Sequence, residues 1–168
     1  LPQVAPQPSP RVSAWLVSIA VSAAGKTLGT LVEKSPALSR LLDGIAEAAP
    51  YLWALVCADA TRFLRLLRQD PDKQMAALVT KAHRGGTSAR SVVVLMRTLR
   101  DVKAEAALLI ALADIGGLWP VERVTRALTD LADATLGAAV RYLLRDAARR
   151  GRLKPGDPRH PEAGSGYI

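Results

Sequence analysis

The spacing of apolar residues is the strongest constraint on the fold, because they recur at three- and four-residue steps along most of the chain. This spacing places them on one face of an α-helix, whereas a half-buried strand would alternate apolar and polar residues. Serine or aspartate followed by proline, and pairs of glycines, separate the apolar runs. These residues are typical of helix starts and stops. The sequence therefore predicts an all-α fold.

The predicted helices follow a short proline-rich tail at residues 1–11, where each proline removes a backbone donor. Ser35-Pro36, Asp59 and Asp70-Pro71 are predicted helix starts, and Gly85-Gly86 is a predicted break. In chain order the predicted helices are residues 12–34, 36–49, 51–58, 59–69, 71–84, 88–115 and 120–150.

The last two predicted helices are the longest, and only the short turn around Gly116-Gly117 separates them. Two long helices joined in this way form an antiparallel hairpin. The second is roughly 45 Å long at about 1.5 Å per residue, and Gly151 ends it. A near-heptad apolar stripe is expected to form its inner face: Val121, Val124, Leu128, Leu131, Thr135, Ala138 and Tyr142. We therefore expect a multi-helix domain over residues 12–151, followed by a loop at 152–168.

The chain has a net charge of +8, and its positive charge is concentrated near the end. Residues 141–160 hold seven lysines and arginines. Arg145, Arg149 and Arg150 fall in the last turns of a predicted helix, where cations are favourable. Binders of single-stranded nucleic acid interleave basic and aromatic side chains. Tyr142 is the one aromatic residue in this stretch and belongs to the inner stripe, so a nucleic-acid interface is disfavoured.

No complete catalytic or metal-binding motif is present in the sequence. The run from Ala24 to Thr27 resembles the end of a phosphate-binding loop but lacks the earlier glycine and strand. His83, His160 and Cys57 have no partners at metal-ligand spacing. We therefore predict no catalytic, cofactor-binding or metal-binding residues here.

Three further expectations concern single side chains and the environment of the protein. Asp130 and Asp133 share a helix face and are expected to form structural ion pairs with Arg123 and Arg126. Arg97 is expected to pair with Asp101 one turn along. Cys57 has no second cysteine and is expected to pack in the core, which favours a reducing cytoplasm.

The longest uncharged run near the start lies between Arg11 and Lys26 and is too short to span a bilayer. It also follows prolines and contains serines, so a signal peptide is disfavoured. We expect no membrane partner.

Several stretches, in their order along the chain, resemble the N-terminal part of the bacterial bifunctional glutamine synthetase adenylyltransferase/adenylyl-removing enzymes. The resemblance covers residues 35–168, and nothing is inferred from the first 34 residues. The stretches that carry it are SPAL at 35–38, APYLW at 49–53, RFLRLLRQDPD at 62–72, ALADIGGLWPVERVTRALTDLADATL at 111–136 and GSGYI at 164–168.

The resemblance implies that these helices precede an α/β nucleotidyltransferase domain, whose catalytic aspartates would hold Mg²⁺ beyond Ile168. The parent enzyme would use Mg²⁺ and ATP or ADP, and this chain would bind neither. Its implied partners are glutamine synthetase, a PII-type nitrogen signal protein and the nucleotidyltransferase domain of the same chain.

The resemblance further implies that this region supports the half of the enzyme that removes AMP from glutamine synthetase by phosphorolysis. The hairpin, about residues 88–150, is the part expected to contact the catalytic sheet. If that face is exposed, the isolated chain should dimerise or bind the dye ANS. Two alternatives remain: a free-standing helical interaction module, and a basic nucleic-acid-binding helical domain.

Overall fold

The computed structural model describes residues 8–157, 160–163 and 166, and most of these residues are helical. No strand occurs among them, which confirms the predicted all-α class. In chain order the helices are α1 (Pro10–Ile19), α2 (Ala23–Lys34), α3 (Pro36–Ala48), α4 (Pro50–Ala58), α5 (Ala60–Arg68), α6 (Pro71–Ser88), α7 (Val92–Ile115) and α8 (Val121–Arg149).

Most of these helices begin where side-chain caps and prolines predict. The Ser35 hydroxyl accepts a hydrogen bond from the Leu38 amide, and the Asp59 carboxylate accepts one from Arg62. Each bond satisfies one of the amides that a helix leaves free at its start. Gly117 and Gly151 follow the ends of α7 and α8 with φ of 67° and 69°, a conformation that disfavours residues with a Cβ.

The predicted helix over residues 12–34 was wrong, because the chain forms two helices there. Ser22 interrupts it by capping α2: its hydroxyl accepts from the Gly25 amide at 2.9 Å. A Cβ on Gly25 would lie 1.9 Å from the Ile19 carbonyl oxygen. The tight turn therefore requires glycine at residue 25. Of the predicted tail, residues 1–7 lie outside the described residues, and Pro10 already belongs to α1.

The predicted break at Gly85-Gly86 was also wrong, because α6 continues to Ser88. A Cβ at position 86 would lie 2.7 Å from the Cα of Ala138, so this glycine permits close helix packing. Helix α7 consequently starts at Val92, with the Ser91 hydroxyl accepting from the Val94 amide at 3.3 Å.

The chain divides into two compact units, and the first comprises the described residues up to Pro71 together with Ala107–Pro120. Its core contains an aromatic cluster, in which the Trp15 ring lies 5.5 Å from that of Trp53 and 6.0 Å from that of Phe63. The edge-to-face geometry suits aromatic rings. Fully buried aliphatic side chains complete this core: Val12, Leu28, Leu42 and Val56.

The second unit comprises Asp72–Ala106 and the described residues after Pro120. Asp72 pairs with Arg123 near the starts of α6 and α8, and Gly86 lies against Ala138 further along both, so these helices run parallel. Gly85 contacts Thr98, which places the first part of α7 back along α6. Within this unit α7 is therefore antiparallel to α8, as the predicted hairpin requires.

No single helix among the described residues is long and apolar enough to cross a membrane. Helices α3 and α4 have the length and apolar composition of a membrane span only when taken together, and the chain bends by 120° between them.

Candidate functional site

Helix α8 carries two apolar faces, and only one is buried. The buried face consists of Ala127, Leu131, Ala134, Ala138 and Tyr142. The second face is solvent-exposed: Val121 is 69% exposed, Leu128 49%, Leu136 53% and Leu143 57%. Their spacing of seven or eight residues keeps them along one side of the helix. We call this exposed side the outer face of α8.

The predicted inner stripe of α8 was therefore only partly right. Leu131, Ala138 and Tyr142 are buried, whereas Val121 and Leu128 point to solvent. A seven-residue repeat drifts by about 20° per heptad on a straight helix of 3.6 residues per turn. Over the length of α8 the drift carries the stripe from the exposed side to the buried side.

A groove of about 440 Å³ lies beside the outer face, between α8 and the part of α7 in the same unit. Its apolar wall is formed by Leu99, Leu128, Leu131 and Ala132, and Arg100 and Lys103 stand on its α7 side. A second groove of about 280 Å³ on α7 adds exposed Val93 and Met96. Apolar side chains bordered by cations are thus concentrated on one surface of the second unit.

The predicted pair between Arg97 and Asp101 does not form, although both side chains border the second groove. Neither has an ion-pair partner within the described part of the chain. Their exposure explains this, because an exposed pair gains little over solvation by water.

The acidic residues of α8 line a different cleft, of about 540 Å³, with α6. The predicted ion pairs of Asp130 and Asp133 with Arg123 and Arg126 do not form among the described residues. Arg123 Nε instead donates to the Asp72 carboxylate at 2.7 Å. Asp130 and Asp133 do share a face of this cleft, together with exposed His83. Among the described residues no group of three His, Cys, Asp or Glu could hold a metal ion.

A basic cavity of about 360 Å³ lies where α6 passes into α7. It differs from the acidic cleft in having no carboxylate among its lining residues. Those residues are Lys81, Arg84, Gly85, Ser88, Ala89, Arg90, Val94 and Thr98. This cavity could not be predicted from the sequence, because its lining residues come from two helices and the connection between them.

Cys57 and Lys26 are two further side chains for which the sequence makes a prediction. Cys57 is exposed, so its predicted place in the core was wrong. Partial burial still raises the pKa of its thiol, and the nearby Arg11 charge opposes that rise. Lys26 is an exposed residue within α2, in keeping with the rejection of a phosphate loop.

The segment after α8 is attached to that helix by an ion pair. Arg141 donates from Nε to the Glu162 carboxylate at 2.7 Å and also from Nη2. Burial alone would raise the pKa of Glu162, but the hydrogen bonds and charge of Arg141 outweigh it and lower that pKa. His160 Nδ1 lies 3.7 Å from the same carboxylate.

At the end of α8, Arg149 and Arg150 both pair with Asp146. Arg145 instead donates to the carbonyl oxygen of Thr87 at the end of α6. Arg145, Arg149 and Arg150 thus all have partners within the unit, while Arg149 and Arg150 remain exposed to solvent.

Comparison with known proteins identifies the family. The model of the glutamate-ammonia ligase adenylyltransferase family matches residues 16–165. The match begins well before residue 35, so the family likeness also includes part of the first 34 residues. No solved structure matches the chain significantly.

Similar curated proteins are bifunctional glutamine synthetase adenylyltransferase/adenylyl-removing enzymes. One from Bradyrhizobium sp. (strain BTAi1 / ATCC BAA-1182) is 51% identical over 94% of this chain and 16% of its own length. One from Rhodopseudomonas palustris (strain TIE-1) is 47% identical over 94% and 16%. One from Xanthobacter autotrophicus (strain ATCC BAA-1158 / Py2) is 47% identical over 84% and 14%.

The chain thus spans about a sixth of the length of these relatives, or 16% in the first case. The family model covers most of the described helices, and the relatives agree on one kind of enzyme. The chain belongs to the glutamate-ammonia ligase adenylyltransferase family.

Proposed function

We propose that this chain is the helical part of the adenylyl-removing half of a bifunctional glutamine synthetase adenylyltransferase. In this role it supports a nucleotidyltransferase domain that removes AMP from glutamine synthetase by phosphorolysis. The observation that carries the proposal is the family match over residues 16–165 in a chain that spans only a sixth of its relatives. The helices supply the scaffold, and the reacting groups belong to the rest of the enzyme.

The outer face of α8 is the surface through which we expect this support to act. Exposed leucines are unusual as a continuous stripe, because a soluble helix normally turns charged side chains to water. Leu128 and Leu136 lie in the middle of that stripe, and Leu128 also lines the groove formed with α7. Helix α8, packed through this stripe, would hold the catalytic domain in position.

The parent enzyme, in this proposal, uses Mg²⁺ with ATP and ADP and acts in the cytoplasm on glutamine synthetase. A PII-type nitrogen signal protein regulates it. In this proposal the metal ligands belong to the nucleotidyltransferase domain; the described residues of this chain hold no group of three His, Cys, Asp or Glu that could bind a metal ion. We assign the metal and nucleotide chemistry to the nucleotidyltransferase domain.

A phosphorolysis assay tests the proposal. Adenylylated glutamine synthetase, Mg²⁺ and phosphate are mixed with this chain alone, or with the longer protein that contains both this chain and a nucleotidyltransferase domain. ADP release by the longer protein only is the expected result. No release by either protein would refute the deadenylylase assignment and leave a helical interaction module as the better account.

A further inference from the structure

We propose that the basic cavity between α6 and α7 binds a phosphate group, either as inorganic phosphate or as the terminal phosphate of a nucleotide. The proposal concerns residues of this chain and is independent of the catalytic role assigned above. It rests on the cavity, on the cations that line it and on the hydrogen bonds that the nearby backbone carbonyls already accept.

Three cations line this cavity without any acidic residue. Lys81 and Arg84 are three residues apart on α6 and therefore share a face, and Arg90 approaches from the connection to α7. None of the three has an ion-pair partner among the described residues. Other arginines of this unit, such as Arg123, Arg141 and Arg149, are paired with carboxylates. Lys81, Arg84 and Arg90 thus bring three unpaired positive charges to one cavity.

Free backbone carbonyls at the end of α6 would repel an anion, but several of them already accept hydrogen bonds. The Arg84 carbonyl accepts from the hydroxyls of Thr87 at 3.0 Å and Ser88 at 2.7 Å. The Gly85 carbonyl accepts from the Ala89 amide at 3.1 Å. The Thr87 carbonyl accepts from Arg145. The carbonyl oxygens of Arg84, Gly85 and Thr87 are thus already engaged by hydrogen-bond donors.

Phosphate fits this arrangement better than a cationic or neutral ligand. A doubly charged anion can be shared by several cations, and the planar guanidinium of arginine donates paired hydrogen bonds to phosphate oxygens. The volume of about 360 Å³ lies in the range of small-molecule pockets. It accepts free phosphate or the phosphate end of a larger nucleotide.

The test is an NMR titration of the ¹⁵N-labelled chain in which amide chemical shifts are measured. Each added anion replaces chloride, so that the ionic strength stays constant. Inorganic phosphate is added first, and ADP and adenosine are added to separate samples. We expect saturable shifts centred on Gly85, Ser88, Ala89 and Val94 with phosphate and with ADP, and none there with adenosine. Tighter binding of ADP would identify a nucleotide site, and equal binding would identify a site for free phosphate.

The double variant Arg84→Gln/Arg90→Gln removes two of the three cations and should weaken binding at least about tenfold, as expected for the loss of charge-assisted hydrogen bonds. The matched control Arg40→Gln/Arg68→Gln removes the same charge from exposed positions in the first unit and should bind as the unchanged chain does. The spectra also show whether each variant is folded. Shifts that rise linearly without saturation, that spread over cations throughout the chain, or that weaken equally in the control would overturn the proposal.

Discussion

Single residues decide how closely the helices of the second unit approach. At Gly86 the backbone of α6 passes so near α8 that a Cβ would meet the Cα and carbonyl oxygen of Ala138, both at 2.7 Å. Backbone atoms cannot move aside as a flexible side chain can. The helix tolerates the glycine because close packing compensates for its lower helix propensity.

Gly86→Ala should therefore lower the free energy of unfolding by about 1–3 kcal/mol, the usual cost of overpacking. Gly44→Ala is the matched control, since Gly44 is an exposed residue within α3 with open space around it. It should be neutral or stabilising by about 0.5–1 kcal/mol, because alanine favours the helix. Urea unfolding measures both, and equal effects of the two substitutions would refute the close approach of α6 and α8.

The ion pair between Glu162 and Arg141, which attaches the C-terminal segment to α8, should make the stability of the fold depend on pH. Its pKa is lowered in the folded state, so its ionised form stabilises the fold at pH values above the unfolded pKa. That contribution is lost as the pH falls through the lowered pKa. We expect Glu162→Gln to reduce the free energy of unfolding at pH 7 and to have a progressively smaller effect as the pH falls, because the carboxyl becomes protonated first in the unfolded state and then in the folded state.

Urea unfolding at several pH values checks this expectation. Glu47→Gln, which changes an exposed residue of α3, is the control and should show a small difference that depends little on pH. A Glu162→Gln effect of the same size at pH 3 and pH 7 would mean that the Arg141 pair does not stabilise the fold.

At the scale of helices, the apolar outer face of α8 is the feature with the clearest consequence in solution. Leu128, Leu136 and Leu143 form a stripe that water solvates poorly. We expect the isolated chain to bind ANS or to self-associate. Leu128→Ser/Leu136→Ser should reduce either signal, as measured by ANS fluorescence and light scattering. Val17→Ser is the control, because Val17 is 75% exposed on α1 of the first unit. A monodisperse monomer without ANS binding would contradict this expectation.

Local sequence signals predicted most helices, because their starts depend on neighbours in the chain. The Ser35 and Asp59 caps act within three residues, and the chain folds there as expected. Gly85-Gly86 failed as a predicted break because its role depends on Ala138, which is distant in sequence. Long-range packing of this kind is invisible to a helix-propensity argument.

The candidate surfaces show the same contrast between local sequence signals and long-range packing. The heptad stripe of α8 was visible in the sequence, but its division between Tyr142 on the buried side and Leu128 on the exposed side was not. Periodicity identifies an apolar face without showing which part a neighbouring helix covers. The basic cavity was missed because Lys81 and Arg90 belong to different elements that only the fold brings together.

At the scale of the whole molecule, the central claim is that the helical region supports catalysis through the outer face of α8. The family match and the exposed stripe support it together. A region that positioned the reacting groups would affect the rate strongly, because a small displacement of those groups lowers the rate. The effect should therefore appear in turnover by the longer enzyme.

The most direct test is the rate of phosphate-dependent AMP removal by the longer enzyme carrying Leu128→Asp/Leu136→Asp. Two carboxylates on the stripe would oppose an apolar interface. We predict a rate loss of at least about tenfold. Val17→Asp, at an exposed site on α1, should leave the rate unchanged. Full activity of the double variant, with the protein shown to be folded, would contradict the claim that this face carries the support.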